Sequence, residues 1–309
     1  GAPPPGAAAP RPTATRAEVS LPWDTITGGG SLVITRIELQ RPALSLAALA
    51  DWQATRPEAP FELPTLTRGL QVEDGSVVGG SWRINDLQLQ LPELREGSAA
   101  RITAAGVFTQ AGTTLDFDIT AKLATAGLAS DVEFAGKGRL RSESVDVPWT
   151  LAANGRFDAS GTQTRLDIAA LALTSQSPVP DMDAKGAASF GNTTTLSLQG
   201  TIRQWPEGWP ALPPPMSAST SPLAYTLAYE GAGDFSAPLA LTVVRDETRF
   251  EGRLVVPEIT GWLDAGDAAP LPPLVGTLST PRVEVAGATL EGISVQMEED
   301  APAEPEPQP

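Results

Sequence analysis

Thr114-Leu-Asp-Phe-Asp-Ile-Thr-Ala-Lys-Leu123 alternates strictly between polar and apolar residues, and that alternation decides the fold. Leu115, Phe117, Ile119, Ala121 and Leu123 share one side, while Thr114, Asp116, Asp118, Thr120 and Lys122 share the other. A period of two is what a pleated strand imposes, whereas a helix would scatter these residues around its whole circumference. Working outward, the same period carries Val132, Phe134 and Leu140, then Val145, Val147, Trp149, Leu151 and Phe157. It returns in Leu196, Leu198 and Ile202, in Leu223, Tyr225, Leu227 and Tyr229, and in Phe250, Leu254 and Val256.

Read in this way the chain holds about fourteen strand candidates separated by short turns, which favours antiparallel hairpins over strand-helix-strand units. The expected fold is all-β: a long, curled antiparallel meander, groove-like, taco-like or sandwich-like, with one or two short helices. Register follows from keeping apolar faces together, because a slip of one residue turns a face outward. A two-residue loop at Asp246-Glu247 sets Val243 opposite Phe250 and Leu239 opposite Leu254. A loop at Ala111-Gly112 sets Phe108 opposite Leu115, and a three-residue loop over 191–193 sets Ala188 opposite Leu196. A two-residue loop at Gly161-Thr162 would set Phe157 opposite Leu166. Trp82 and Ile84 are out of phase with Leu87, Leu89 and Leu91, so a β-bulge is expected at Asn85-Asp86. One helix is expected from Ser45, as its N-cap, to Trp52, and a helical turn near Ile259 to Leu263.

Residues 1–17 are rich in Pro and Ala and are expected to form a disordered linker; the acidic, Pro-rich stretch 298–309 is expected to form a disordered tail. The β domain then spans 18–297, with a candidate subdivision at the loop 204–222, which carries Trp205-Pro206, Trp209-Pro210 and Pro213-Pro-Pro215. The first residue is Gly rather than Met, which leads to the expectation that a signal or anchor has been removed.

Composition narrows the chemistry. The 309 residues include no Cys and no His, which removes disulfides, thiolate metal sites, Ser-His and Cys-His nucleophilic machinery and the usual transition-metal ligand. A non-enzymatic protein without cofactor or catalytic residues is the expectation. A net charge of −16 argues against nucleic acid as a partner and against a direct electrostatic hold on anionic lipid head groups. Asp181-Met-Asp183 resembles the opening of a calcium loop but lacks its later acceptors, so a solvated turn is the better reading and no metal is expected. Trp205 and Trp209 are weighed as a stacking platform and as pins for their loop, with the second preferred.

The remaining candidate is the apolar face itself. Its expected lining is Leu115, Phe117, Ile119, Leu123, Val132, Phe134, Val147, Trp149, Leu151, Phe157, Leu196, Leu198, Ile202, Leu223, Tyr225, Leu227, Phe250 and Leu254. Burying one such side chain is worth about 1.5–3 kcal/mol, so a face of this size demands a cover. That cover is either the protein's own second layer or a ligand.

Three stretches carry a resemblance. They are Ser31-Leu-Val-Ile-Thr-Arg-Ile-Glu-Leu-Gln-Arg-Pro-Ala-Leu-Ser-Leu-Ala-Ala-Leu-Ala-Asp-Trp52; Gly69-Leu-Gln-Val-Glu-Asp-Gly-Ser-Val-Val with Trp82-Arg-Ile-Asn-Asp-Leu-Gln-Leu-Gln-Leu-Pro-Glu-Leu94; and Val283-Glu-Val-Ala-Gly-Ala-Thr-Leu-Glu-Gly-Ile-Ser-Val295. Together they resemble the AsmA-like family of envelope proteins. The resemblance implies a periplasmic β protein anchored at the inner membrane, contributing to outer-membrane assembly or lipid homeostasis. It implies a curled sheet whose apolar lining carries acyl chains, of phospholipid or of another acyl-chain ligand, and it carries over no catalytic residue. The alternatives are an envelope scaffold with a dry core that recruits protein partners, and a carbohydrate-binding sandwich with Trp205 and Trp209 coplanar.

Overall fold

The computed structural model describes residues 13–22, 33–54, 63–110, 112–143, 145–191, 193–207, 209, 211–259, 273–285 and 288–297. The residues expected to form the acidic tail, and most of those in the Pro/Ala linker, lie outside these. The described chain is overwhelmingly β. Seventeen strands belong to one mixed sheet, and β2 (Val33–Ile34) with β5 (Thr65–Leu66) forms a second, two-stranded parallel one. The chain divides into two compact units, 1–158 with 171–179, and 159–170 with 180–309. The dividing line therefore runs along β12 (Thr164–Ser175), and the loop 204–222 lies inside the second unit.

The first unit contains β1 (Arg16–Ser20), β3 (Arg36–Gln40), β4 (Ala43–Ser45), β6 (Leu70–Val78), β7 (Trp82–Leu91), β8 (Ala100–Gln110), β9 (Thr113–Leu123), β10 (Ala129–Arg141) and β11 (Asp146–Asp158). From β6 onward each strand pairs antiparallel with the next, as a meander requires. The start of the unit departs from that expectation. β3 and β4 both pair parallel to β6, because helix α1 (Leu46–Ala54) begins a crossover, the kind of connection a parallel pair needs. Ser45 caps α1 as expected, its Oγ accepting the Ala48 N–H at 3.3 Å. β1 pairs antiparallel to β3, so Arg16 and Ala17 belong to a strand and not to the linker.

The expected bulge is present. β7 shifts register between Asn85 and Gln88, with Asp86 at φ 53°, and β6 shifts beside it around Gly75, with Asp74 at φ 52°. The extra residue lets Trp82 and Ile84 share a face with Leu87, Leu89 and Leu91. One end of the unit closes on a hydrocarbon cluster of Leu66, Leu91, Ala100 and Ala126, with Ile34, Ile37, Leu70, Ile102 and Leu123 packed against it.

The second unit runs through β13 (Asp181–Phe190), β14 (Thr194–Gln204), β15 (Leu223–Gly231), β16 (Leu239–Arg245), β17 (Thr248–Leu254), β18 (Leu274–Val285) and β19 (Ala288–Met297), each antiparallel to the next. The β8–β9, β13–β14 and β16–β17 pairs have the registers expected of them: Phe108 faces Leu115, Ala188 faces Leu196, and Val243 faces Phe250. The loop at Gly161-Thr162 is longer than expected, since β11 ends at Asp158 and β12 begins at Thr164. Within the 204–222 loop Met216–Ala218 forms a 3-10 turn. A helical turn over 256–259 leads into the stretch expected to be helical, with the Ile259 N–H bonded to the Val255 carbonyl at 3.1 Å; residues 260–263 lie outside the described residues.

Candidate functional site

The ladders place the expected lining residues on one face within each unit. In the first, Ile102, Ala121, Phe134 and Ala153 stand opposite one another across four strands. The next rows are Ala104, Ile119, Gly136 and Leu151, then Gly106, Phe117, Gly138 and Trp149, then Phe108, Leu115, Leu140 and Val147. Leu123 faces Val132, and Phe157 faces Ser130. In the second unit Gly200, Tyr225, Val243, Phe250, Leu278 and Val295 form one row, and Leu198, Leu227, Leu241, Gly252, Gly276 and Met297 another. Leu196 faces Tyr229, Ile202 faces Leu223, and Leu254 lies between Leu239 and Leu274.

Large residues alternate with glycines in these rows, and the aromatic rings lie over the gaps. A Cβ built on Gly106 would stand 3.0 Å from Phe117 Cζ, and one on Gly138 3.0 Å from Trp149 Cε2. One on Gly252 would meet Phe250 Cζ at 2.5 Å, and one on Gly276 would meet it at 2.7 Å. The rings therefore recline along the backbone instead of standing off it, so each face is low and smooth. Sequence reasoning missed this pairing, although Gly at 136, 138, 252 and 276 interrupting otherwise bulky faces was its visible signal.

Burial separates these faces from both an ordinary core and an ordinary surface. Of the eighteen expected lining residues only Val147, Leu223 and Tyr225 are buried; the other fifteen are half-buried, and none is exposed. The opposite face is wet and charged. Lys122 pairs with Glu133 at 3.0 Å and Arg156 with Asp131 at 3.1 Å, both exposed and worth about 0–1 kcal/mol each. Ile102, Phe108, Leu241, Leu278 and Met297 join the apolar rows without having been among the expected lining; strand parity was the signal that could have found them.

Polar groups on the apolar side are met locally at Tyr225, Arg245 and Thr248, whereas the indole Nε1–H of Trp149 is buried without a hydrogen-bond partner. Tyr225 Oη donates to the Asp183 carbonyl at 2.9 Å, and burial, followed by the Asp183 charge, pushes its phenol pKa up. Arg245, 6% exposed, closes the end of β16: its Nε donates to the Ser221 carbonyl at 2.8 Å and its Nη1 to the Met216 carbonyl at 3.0 Å. Beside it Thr248 donates to Thr280 Oγ1 at 3.1 Å.

Two sequence candidates take a different form. Trp205 and Trp209 meet edge to face, with centroids 4.9 Å apart and planes at 88°, so they are not coplanar and offer no flat platform. Asp181 is paired with Arg203, and among the described residues no three carboxylates converge as a metal site would need. Among the described residues no helix is long and apolar enough to cross a membrane, which leaves strands aside. No family model, no curated protein and no solved structure matches the chain.

Proposed function

We propose that this chain is a non-enzymatic cell-envelope protein that holds or shields acyl chains on its apolar sheet faces. The resemblance to AsmA-like proteins supplies the setting: the periplasm, with a part in outer-membrane assembly or lipid homeostasis. The observation that carries the reading is the half-burial of fifteen of the eighteen lining residues. A second protein layer would bury such a face, and a solvated face would not be built from Phe, Leu and Ile.

The chemistry asked of the protein is hydrophobic transfer. Each acyl methylene moved from water onto the face gains about 0.8 kcal/mol when fully covered, so a chain lying along several rows repays its own ordering. Reclining rings suit such a guest, because they leave a shallow floor with no side chain standing in the path. Head groups need no dedicated catalytic residue and stay outside.

The same reclining rings support a second reading, an envelope scaffold whose faces are sufficiently covered by their own aromatics. Native mass spectrometry of the purified chain separates the two. The lipid reading expects bound lipid that is lost in Phe117→Asp and in Leu198→Asp while the far-ultraviolet circular dichroism of the sheet is retained. Wild-type protein that carries no lipid, after expression in a cell with an envelope, would falsify it.

A further inference from the structure

We propose that the cleft between two neighbouring hairpin tips of the first unit binds a small oxyanion, with Arg83 as the cation that holds it. The tips are the β6–β7 turn at 79–81 and the β8–β9 turn next to Gly112, at the opposite end of these strands from the Leu66 cluster. Between them lies an open cleft of about 440 Å³ lined by Arg83, Asn85, Thr109, Gln110, Thr113 and Thr114 together with Trp82 and the turn glycines. That volume lies within the range of small-molecule sites.

Charge selects the ligand. None of the lining residues is acidic, in a chain whose net charge is −16. Elsewhere on the unit many cations face a carboxylate, among them Lys122, Lys137, Arg139, Arg141 and Arg156. Arg83 has no carboxylate partner among the described residues, and only its backbone carbonyl is engaged, by Thr109 Oγ1 at 3.3 Å. A guanidinium set among hydroxyls and side-chain amides matches a phosphate, which takes a bidentate Arg contact and further neutral donors.

The walls are braced before any ligand arrives. Gln110 Nε2 donates to Ser81 Oγ at 3.3 Å, tying one tip to the other, and Trp82 packs on Phe108 with centroids 5.7 Å apart. A Cβ built on Gly80 or Gly112 would meet nothing within 4 Å, so the approach between the tips is open. Repulsion from acidic groups more than about 8 Å away is largely screened at physiological ionic strength.

A phosphate group can arrive free or on a lipid head, and the test separates these sources. Inorganic phosphate is titrated into the full chain by calorimetry, and phosphatidylglycerol-containing phosphatidylcholine vesicles are assayed by flotation. Both are run on wild type, Arg83→Gln and the exposed control Arg101→Gln, with thermal melts to establish folding. The expectation is phosphate affinity at least about tenfold weaker in Arg83→Gln and unchanged in Arg101→Gln. Vesicle binding that falls with it assigns the anion to a head group; vesicle binding that does not change assigns it to a free anion. Absence of Arg83-dependent binding of either probe overturns the proposal. The site is separate from the acyl-chain reading, since lipid co-purifying with Arg83→Gln reports on the apolar face alone.

Discussion

The two units close a sheet end in opposite ways. In the first, Leu66 of β5, at 4% exposure, and Ala126, at 2%, join Leu91 and Ala100 in a hydrocarbon cluster. In the second, a loop rich in Pro and Trp is tied down by a buried guanidinium that donates to two backbone carbonyls. One closure is held by area removed from water, which has no direction. The other is held by hydrogen bonds, which have direction and leave unmet acceptors when broken. The difference teaches that a sheet which sets its large side chains along one half-buried face can close its ends by other means. It then closes one end with aliphatic residues from a crossover and another with the backbone of a loop.

The largest expected effect comes from the apolar closure. Leu66→Ala should destabilise the first unit by about 2–5 kcal/mol, the range for emptying a packed leucine site. Urea unfolding, followed by limited proteolysis to identify which unit opens, checks this. A loss confined to the second unit would break the comparison. Next comes Arg245→Met, which keeps an apolar stem against Met216 and removes the donors to Met216 and Ser221. The cost should be about 1–3 kcal/mol, the penalty for buried acceptors left unmet. Hydrogen exchange should show it as opening of residues 213–222, with the Leu66 cluster still protected; equal opening of both would show that the two closures are not independent.

Much of the meander was legible because strand parity and turn length constrain each other. Val243 against Phe250 and Phe108 against Leu115 follow from two-residue turns, and the Asn85-Asp86 bulge follows from a phase break in the apolar pattern. What escaped has physical causes. The parallel pairing of β3 with β6 depends on where a crossover returns, and no local period encodes that. β1 is short and exposed along its whole length, and its first two residues, Arg16 and Ala17, adjoin the Pro/Ala-rich stretch and so read as linker. On the candidate face, the lining was readable as parity, while the reclining rings depend on which glycine stands across the ladder. Arg245 ends the run Leu239, Leu241, Val243 in phase with it, so a cation on the apolar side was visible, yet its carbonyl partners lie 24 and 29 residues away.

The smallest expected effect sharpens the comparison through pH. Asp246 is fully exposed next to Arg245, and hydrogen bonds from the Ser219 and then the Ser221 side chains, with the Arg245 charge adding to them, hold its carboxyl below the ordinary 3.8. A pKa lowered by folding means that the carboxylate supports the loop at every pH above the unfolded value, and that support fades as pH falls through the folded value. The loop closure should therefore respond to acid where the hydrocarbon closure, which has no titrating group among Leu66, Leu91, Ala100 and Ala126, should not. In nitrogen-15 spectra the Ser219 and Ser221 amides should titrate with a midpoint below 3.8, and Asp246→Asn should abolish that step. The Leu66 amide should hold its position over the same range. A midpoint at or above 3.8 would mean that the serines do not favour the charged carboxylate, and the loop would then rest on Arg245 alone.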